Sequence, residues 1–251
     1  MLIFVRGLTA AVLAFILMLG ISVPRAGAQD PFDVDGLVQR MAETLADADS
    51  FSVHAEKLFD VVLLAGPKVQ HSGAMDVEVR RPDRLYVSYG DDLSAKELWY
   101  DGKTLTIQDH NANVHGVVPA AETIDATTAL LRDKYGLFLP LAEVFSTDSY
   151  AKYADTASTR LYLGIHDVDG QPAHHILFTG VRADWQLWID AGEVPLLLKI
   201  VVNQFDTLGE PQQTIVLSEW DLEATLPDEN FAAEITESSV LAKFLVTKWE
   251  N

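Results

Sequence analysis

Most of this chain alternates apolar and polar residues with a period of two, the spacing of a half-buried β-strand. Such runs cover residues 51–64, 69–80, 85–89, 97–100, 104–108 and 114–118. A second set covers 161–168, 173–178, 185–189, 196–205 and 214–222. Turn-forming residues fall between them: Gly66-Pro67, Arg81-Pro82-Asp83, Asp101-Gly102, Asp169-Gly170, Ala191-Gly192 and Leu208-Gly209. Connections this short join antiparallel neighbours, so the pattern predicts one meandering sheet. Helical spacing breaks the period in "DVDGLVQRMAETLADADS", where Leu37, Val38, Met41 and Leu45 share one face. "TIDATTALLRDKYG" sets Ile124, Leu131 and Tyr135 on one side and ends at Gly136, a helix stop. "LFLPLAEVFS" follows, largely apolar, with Pro140 suited to the first turn of another short helix. The terminal "SSVLAKFLVTKWEN" fits a last strand and a short amphipathic helix equally. No linker, repeat or low-complexity segment interrupts residues 29–251, which read as a single domain of mainly β structure with helices (α+β).

The stretch "LWYDGKTLTI", residues 98–107, carries the strongest hairpin signal. A two-residue Asp-Gly loop would pair Tyr100 with Lys103, Trp99 with Thr104 and Leu98 with Leu105. Leu98, Tyr100, Leu105 and Ile107 then share one face, and Glu97, Trp99, Thr104, Thr106 and Gln108 the other. A sheet with one solvated face would put no tryptophan on its polar side. "ADWQLWID" repeats the feature, with Trp185, Leu187 and Ile189 on one side and Gln186 and Trp188 on the other. In "PLLLKIVVNQF", Leu196, Leu198, Ile200 and Val202 line one face, while Leu197, Val201 and Phe205 interrupt a polar one. Both faces are partly apolar. A curved sheet whose helices fill its hollow only in part accounts for this and leaves an apolar cavity. Helices and a partner covering both faces, with no cavity, account for it equally. Alternation alone does not decide which indole points inward.

The first 28 residues stand apart. Arg6 precedes an apolar run from Leu8 to Val23, and Ala26-Gly27-Ala28 forms a small-residue cleavage site. This is the pattern of a secretory signal peptide cut before Gln29. The rival is an uncleaved anchor, since the run is about as long as the shortest membrane span. No cysteine occurs in the chain, which excludes disulfides, thiol catalysis and a lipidated cysteine. Removing the leader takes away Arg6 and Arg25, leaving 16 basic against 37 acidic residues, a net charge of −21. A surface so acidic repels nucleic acid and anionic lipid headgroups, and it keeps an exported protein in solution.

Motifs for chemistry are missing. His174 and His175 are adjacent on a strand, so they point to opposite faces and cannot chelate together. His110 and His115 lie around a turn without a carboxylate at ligand spacing, and there is no HExxH. "HDVDGQP" begins like a calcium loop but lacks the distal Glu, so it reads as an acidic hairpin turn. No G-x-S-x-G elbow and no glycine-rich phosphate loop occurs, and acid pairs such as Asp91-Asp92 carry no signal among 37 acids. The expectation is a protein without catalytic residues, metal or cofactor.

"RRPDRLYVSYGDD", "ELWYDGKTLTIQD", the helical insert and "LPDENFAAEI", in that order, resemble the LolA-like fold of periplasmic lipoprotein carriers. "HHILFTGVRADWQLWID" is similar to the second half of an uncharacterised family of predicted periplasmic proteins with that fold. The similarity runs over most of residues 33–236. It implies an incomplete antiparallel β-barrel of about eleven strands, with an N-terminal helix and a central helical lid. In the carriers the concave face holds acyl chains, and an arginine of the Arg-Pro element bonds the lid. Arg81 matches that arginine. No proline follows Phe231 here and the chain is longer than the carriers, departures that bear on cargo more than on fold.

The functional expectation is a periplasmic, non-catalytic binder of an apolar or amphiphilic ligand, such as a lipid or lipoprotein acyl chains. Acyl burial needs no special residue, since each methylene removed from water contributes roughly 0.8 kcal/mol. The expected site comprises Trp99, Trp188, Phe138, Leu139, Leu141 and Phe145, with Arg81 as latch. An envelope protein-interaction or stress-sensing module is the alternative, and an exported hydrolase the third reading.

Overall fold

The computed structural model describes residues 32–64, 66–139, 141–147 and 157–244, with the side chain of Glu143 excluded. The leader expected at 1–28, Pro140 and the last residues of the terminal segment lie outside that range. The described residues from Asp33 onward form one compact unit.

Helix α1 spans Val34–Asp47, capped by Asp33, whose carboxylate accepts the Gly36 amide at 2.9 Å. It buries Leu37, Val38, Met41 and Leu45, the four positions its spacing singles out. A first meander follows: β1 (Ser50–Val62), β2 (Lys68–Arg80), β3 (Arg84–Asp91), β4 (Ala95–Tyr100), β5 (Thr104–Asp109) and β6 (Val114–Pro119). The insert holds α2 (Ile124–Leu130), continued by a π-helical turn at Leu131–Tyr135, and α3 (Ala142–Phe145). Gly136 ends the π turn at φ 64°, the left-handed conformation that a glycine adopts without Cβ strain. A second meander comprises β7 (Thr159–Val168), β8 (Gln171–Thr179), β9 (Ala183–Asp190), β10 (Leu197–Gln204) and β11 (Gln212–Asp221). A 3₁₀ turn at Asp228–Phe231 and a short β12 (Val240–Leu241) complete the described chain.

All the described strands join one open sheet in the order β12-β6-β5-β4-β3-β2-β1-β11-β10-β9-β8-β7. Among the described residues the eleven expected strands are present, and β12 adds a twelfth, pairing in parallel with β6. The ambiguous terminal segment thus contributes a two-residue strand. Because β6 and β7 lie near opposite edges, the chain between them has to cross the sheet. That topology is why the helical insert covers one face.

Two details of register depart from the sequence expectation. In the 98–107 hairpin Tyr100 pairs with Leu105, Trp99 with Thr106 and Leu98 with Ile107, so the turn moves on to Gly102-Lys103. The cause is Asp101, whose carboxylate accepts the amides of Lys103 at 2.9 Å and Thr104 at 2.7 Å. A shift of two leaves every side chain on its expected face. In β10 an irregularity between Leu197 and Lys199 has a larger effect. It sends Leu198 to the outer face with Trp188, Val201, Val168 and Ala173, away from Ile200.

Both faces of the sheet are covered in different ways. The inner face, under the helices, buries Phe51, Val53, Met75, Val77, Leu85, Tyr100, Ile176 and Leu217. The outer face of β2–β6 meets the chain's own segment 226–236. There Arg80 donates to the Leu226 carbonyl at 2.7 Å, Asn230 to Glu78 at 2.8 Å and Gln108 to Thr236 at 2.6 Å. Trp99 lies within this covered area beside Tyr86, its ring centroid 5.9 Å away.

Replacing Gly136 by alanine should cost about 1 kcal/mol through left-handed backbone strain. The midpoint of urea denaturation should fall with no change in slope.

Candidate functional site

The inner face does not close solidly over the helices. A cavity of about 630 Å³ opens between α1, the insert and strands β1, β2 and β8–β11. Val38 of α1, Met75 of β2, Phe178 of β8, Leu187 of β9, Ile200 of β10 and Ile215 of β11 contribute to its wall. Strands β2 and β8 are five steps apart in the sheet, ~24 Å if it were flat. Residues of both line one cavity because the sheet curls. A second cavity of about 410 Å³ lies between the insert and β3–β6, lined by Val87, Leu98, Ile107 and Phe244 among others. Leu139 borders both cavities.

The expected site residues divide into three groups. Leu139 and Leu141 line the large cavity, and Phe138 with Leu139 lines the smaller one. Phe138 is 78 % exposed, an apolar ring facing solvent from the insert. Leu141 precedes α3 at φ 54°, a left-handed conformation that costs a branched side chain about 1 kcal/mol and persists only where packing holds it.

Trp99, Trp188 and Phe145, by contrast, line neither cavity. Trp99 and Trp188 are on the outer face. Trp188 stacks on His175 at 3.9 Å, with the Lys199 ammonium 4.7 Å from its ring on another side. The indole that reaches the cavity is Trp185, in the row with Leu187. Phe145 is fully buried and meets the site only through its carbonyl.

Arg81 is the third case. Its Nη1 donates to the Phe145 carbonyl at 3.1 Å and its Nη2 to the Leu45 carbonyl at 3.0 Å. These carbonyls belong to the last turns of α3 and α1, where intrahelical partners run out. One planar guanidinium therefore bridges two helix ends, as its fixed fork allows. The guanidinium lies 5.9 Å from the Phe51 ring, and burial lowers its pKa from the ordinary arginine value against the opposing charge of Asp125. Its Nε is buried without a partner among the described residues.

Asp125, which sequence reasoning missed, fastens the same place from α2. Its carboxylate accepts Ser146 Oγ at 2.7 Å, the Thr147 amide at 3.0 Å and Thr147 Oγ1 at 2.7 Å. Burial by itself would raise this carboxyl, but the bonds from Thr147 and Ser146 hold it below the usual carboxylate range. Residues 145–147 are thus held by a cation and an anion from two directions. Nothing in the local sequence marks Asp125 beyond its place in the first turn of a helix.

A family model described as "Predicted periplasmic protein (DUF2092)" matches residues 35–245. An uncharacterized conserved protein from Thermus thermophilus is similar in structure at a TM-score of 0.50 and 9 % identity, over 83 % of this chain and 98 % of that one. The MucA/MucB complex of Pseudomonas aeruginosa gives a TM-score of 0.44 at 16 % identity. That match covers 79 % of this chain and 60 % of the other, so this chain spans less than two thirds of it. A LolA superfamily protein from Nitrosomonas europaea gives 0.34 at 12 % identity, over 79 % and 97 % of the two chains. No curated protein matches the sequence at a significant level.

Trp99→Ala should destabilise the fold by about 3–5 kcal/mol in chemical denaturation, as for other large buried aromatics. Under native conditions it should leave binding of an apolar probe in the inner cavities unchanged, since Trp99 touches neither.

Proposed function

Because this chain belongs to the DUF2092 family of predicted periplasmic proteins, we propose that it binds an apolar or amphiphilic ligand, without catalysis, between its sheet and its lid. The observation that carries this reading is the cavity of about 630 Å³ with a largely apolar wall. Its volume falls within the ~300–1,000 Å³ of ordinary ligand sites. A lipid or lipoprotein acyl chain fits this chemistry, since burial of methylenes alone supplies the affinity. Carriage of such cargo through the periplasm follows if the lid opens and closes.

Arg81 is the latch in this proposal. It holds the ends of α1 and α3 together with bonds that break when the helices part. Such charge-assisted bonds are worth about 1.5–3 kcal/mol each. Arg81→Leu should therefore speed the release of a bound lipid probe by about tenfold or more, measured by stopped-flow fluorescence. An unchanged release rate at unchanged stability would remove Arg81 from the mechanism.

One observation favours a protein partner as a second reading. Strand β7 ends the sheet order, and Leu161, Leu163 and Ile165 on it are exposed. An open edge of this kind can accept a strand from another chain. Native mass spectrometry of protein taken from the periplasm separates the two readings. Co-purifying lipid is the expected result. A stable protein complex without lipid would overturn the carrier reading in favour of the interaction module.

A further inference from the structure

We propose that Lys57 makes the large cavity selective for amphiphiles with an anionic headgroup, an inference that rests on the ligand-binding reading above. Lys57 continues the inward row of β1, after Phe51, Val53 and Ala55, where every preceding member is apolar. Its backbone partners across the sheet are Ile215 on β11 and Gly73 on β2. Ile215 lines the cavity beside it, and Gly73 puts no side chain against it.

The ammonium lies over aromatic faces, 4.6 Å from the Phe59 ring centroid and 5.9 Å from that of Tyr89. Among the described residues it has no hydrogen-bond acceptor and no carboxylate in ion-pair contact. Asp91 acts on it only as a more distant charge. The oxygens of Asp91 are already engaged by Tyr89 Oη and by the amides of Leu93 at 2.7 Å and Ser94 at 2.6 Å. Burial accordingly lowers the pKa of Lys57 from the ordinary lysine value, with Asp91 opposing. An ammonium can donate three hydrogen bonds, and none of those from Lys57 is accepted by a described residue. A partly buried cation in that condition is stabilised by any anion that reaches it.

Few polar side chains share the wall with Lys57. Gln204, Gln213 and Arg182 lie with Lys57 toward the strand ends that carry the loops at 180–182 and 205–211. Arg182 is 83 % exposed and committed to Asp206, with Nε 2.6 Å from its carboxylate. Val38, Met75, Leu139 and Leu141 line the wall under α1 and the insert, and Val181, Trp185 and Val202 keep the end near the loops partly apolar as well. An amphiphile that sets its headgroup at Lys57 keeps apolar wall for its chain under α1 and the insert. The charge also runs against that of the whole chain, which is −19. An acidic surface repels anionic bilayers at long range, while Lys57 acts on a single headgroup at contact distance.

The test uses palmitate and hexadecan-1-ol, equal in chain length and different in charge. Each displaces the neutral fluorophore N-phenyl-1-naphthylamine from the protein purified from the periplasm. The native protein should prefer palmitate by about tenfold, the worth of one charge-assisted hydrogen bond. Lys57→Met should abolish that preference while hexadecanol binds as before, and Lys57→Arg should restore it. If the methionine variant does not fold, Lys57→Gln carries the same comparison. A native protein that binds both ligands equally, or a folded methionine variant that keeps the preference, would overturn the proposal and leave the ligand-binding function standing. Failure of the native protein to bind either ligand would overturn both.

Discussion

Strand β1 hydrogen-bonds to β2 along its whole length and to β11 from Ser52 to Phe59, and this double pairing joins two meanders into one sheet. Everything else in the domain follows from that seam. It puts β6 and β7 near opposite edges, so the chain linking them is drawn across the inner face. It also brings residues of β2 and β8 to the wall of one cavity. A sheet this long twists and curls, and short helices laid across a curled surface meet it at some points and span it at others. The two cavities occupy the spanned regions. They are a consequence of geometry before they are a binding site.

The helices hold their places through backbone carbonyls as well as apolar contact. Arg81, at the turn between β2 and β3, reaches the last carbonyls of α1 and α3 at once. Asp125 reaches Ser146 and Thr147 from the start of α2. The end of α3 is thus fastened by directional bonds in addition to the buried side chains of Val144 and Phe145.

The outer face answers the puzzle of tryptophans at polar positions. Over β2–β6 the chain returns as the segment 226–236, bonded to Arg80, Glu78 and Gln108, and Trp99 is part of the surface it covers. Over β8–β10 no such segment is needed, because His175 and Lys199 shield Trp188 themselves. These indoles stand away from both cavities for a physical reason. An aromatic residue out of phase with its strand records that something covers that face, and the covering can be a distant part of the same chain. Lys57 is the converse. It is a charge standing in the apolar phase of β1, and that anomaly could be read directly from "SFSVHAEKLF".

By itself the sequence determined the strands, their turns, the helix faces and the antiparallel meander. Those depend on local periodicity and turn chemistry, which act between residues close along the chain. Outside the start of β10 it also determined which side chains share a face, a result that survived the two-residue shift of the hairpin because the period is two. Only the tertiary structure decided which face turns inward, which indole reaches the hollow, where β10 slips a residue and whether the helices fill the space beneath them. Those outcomes depend on contacts between segments more than a hundred residues apart, such as Gln108 with Thr236, and on volumes that no single strand contains.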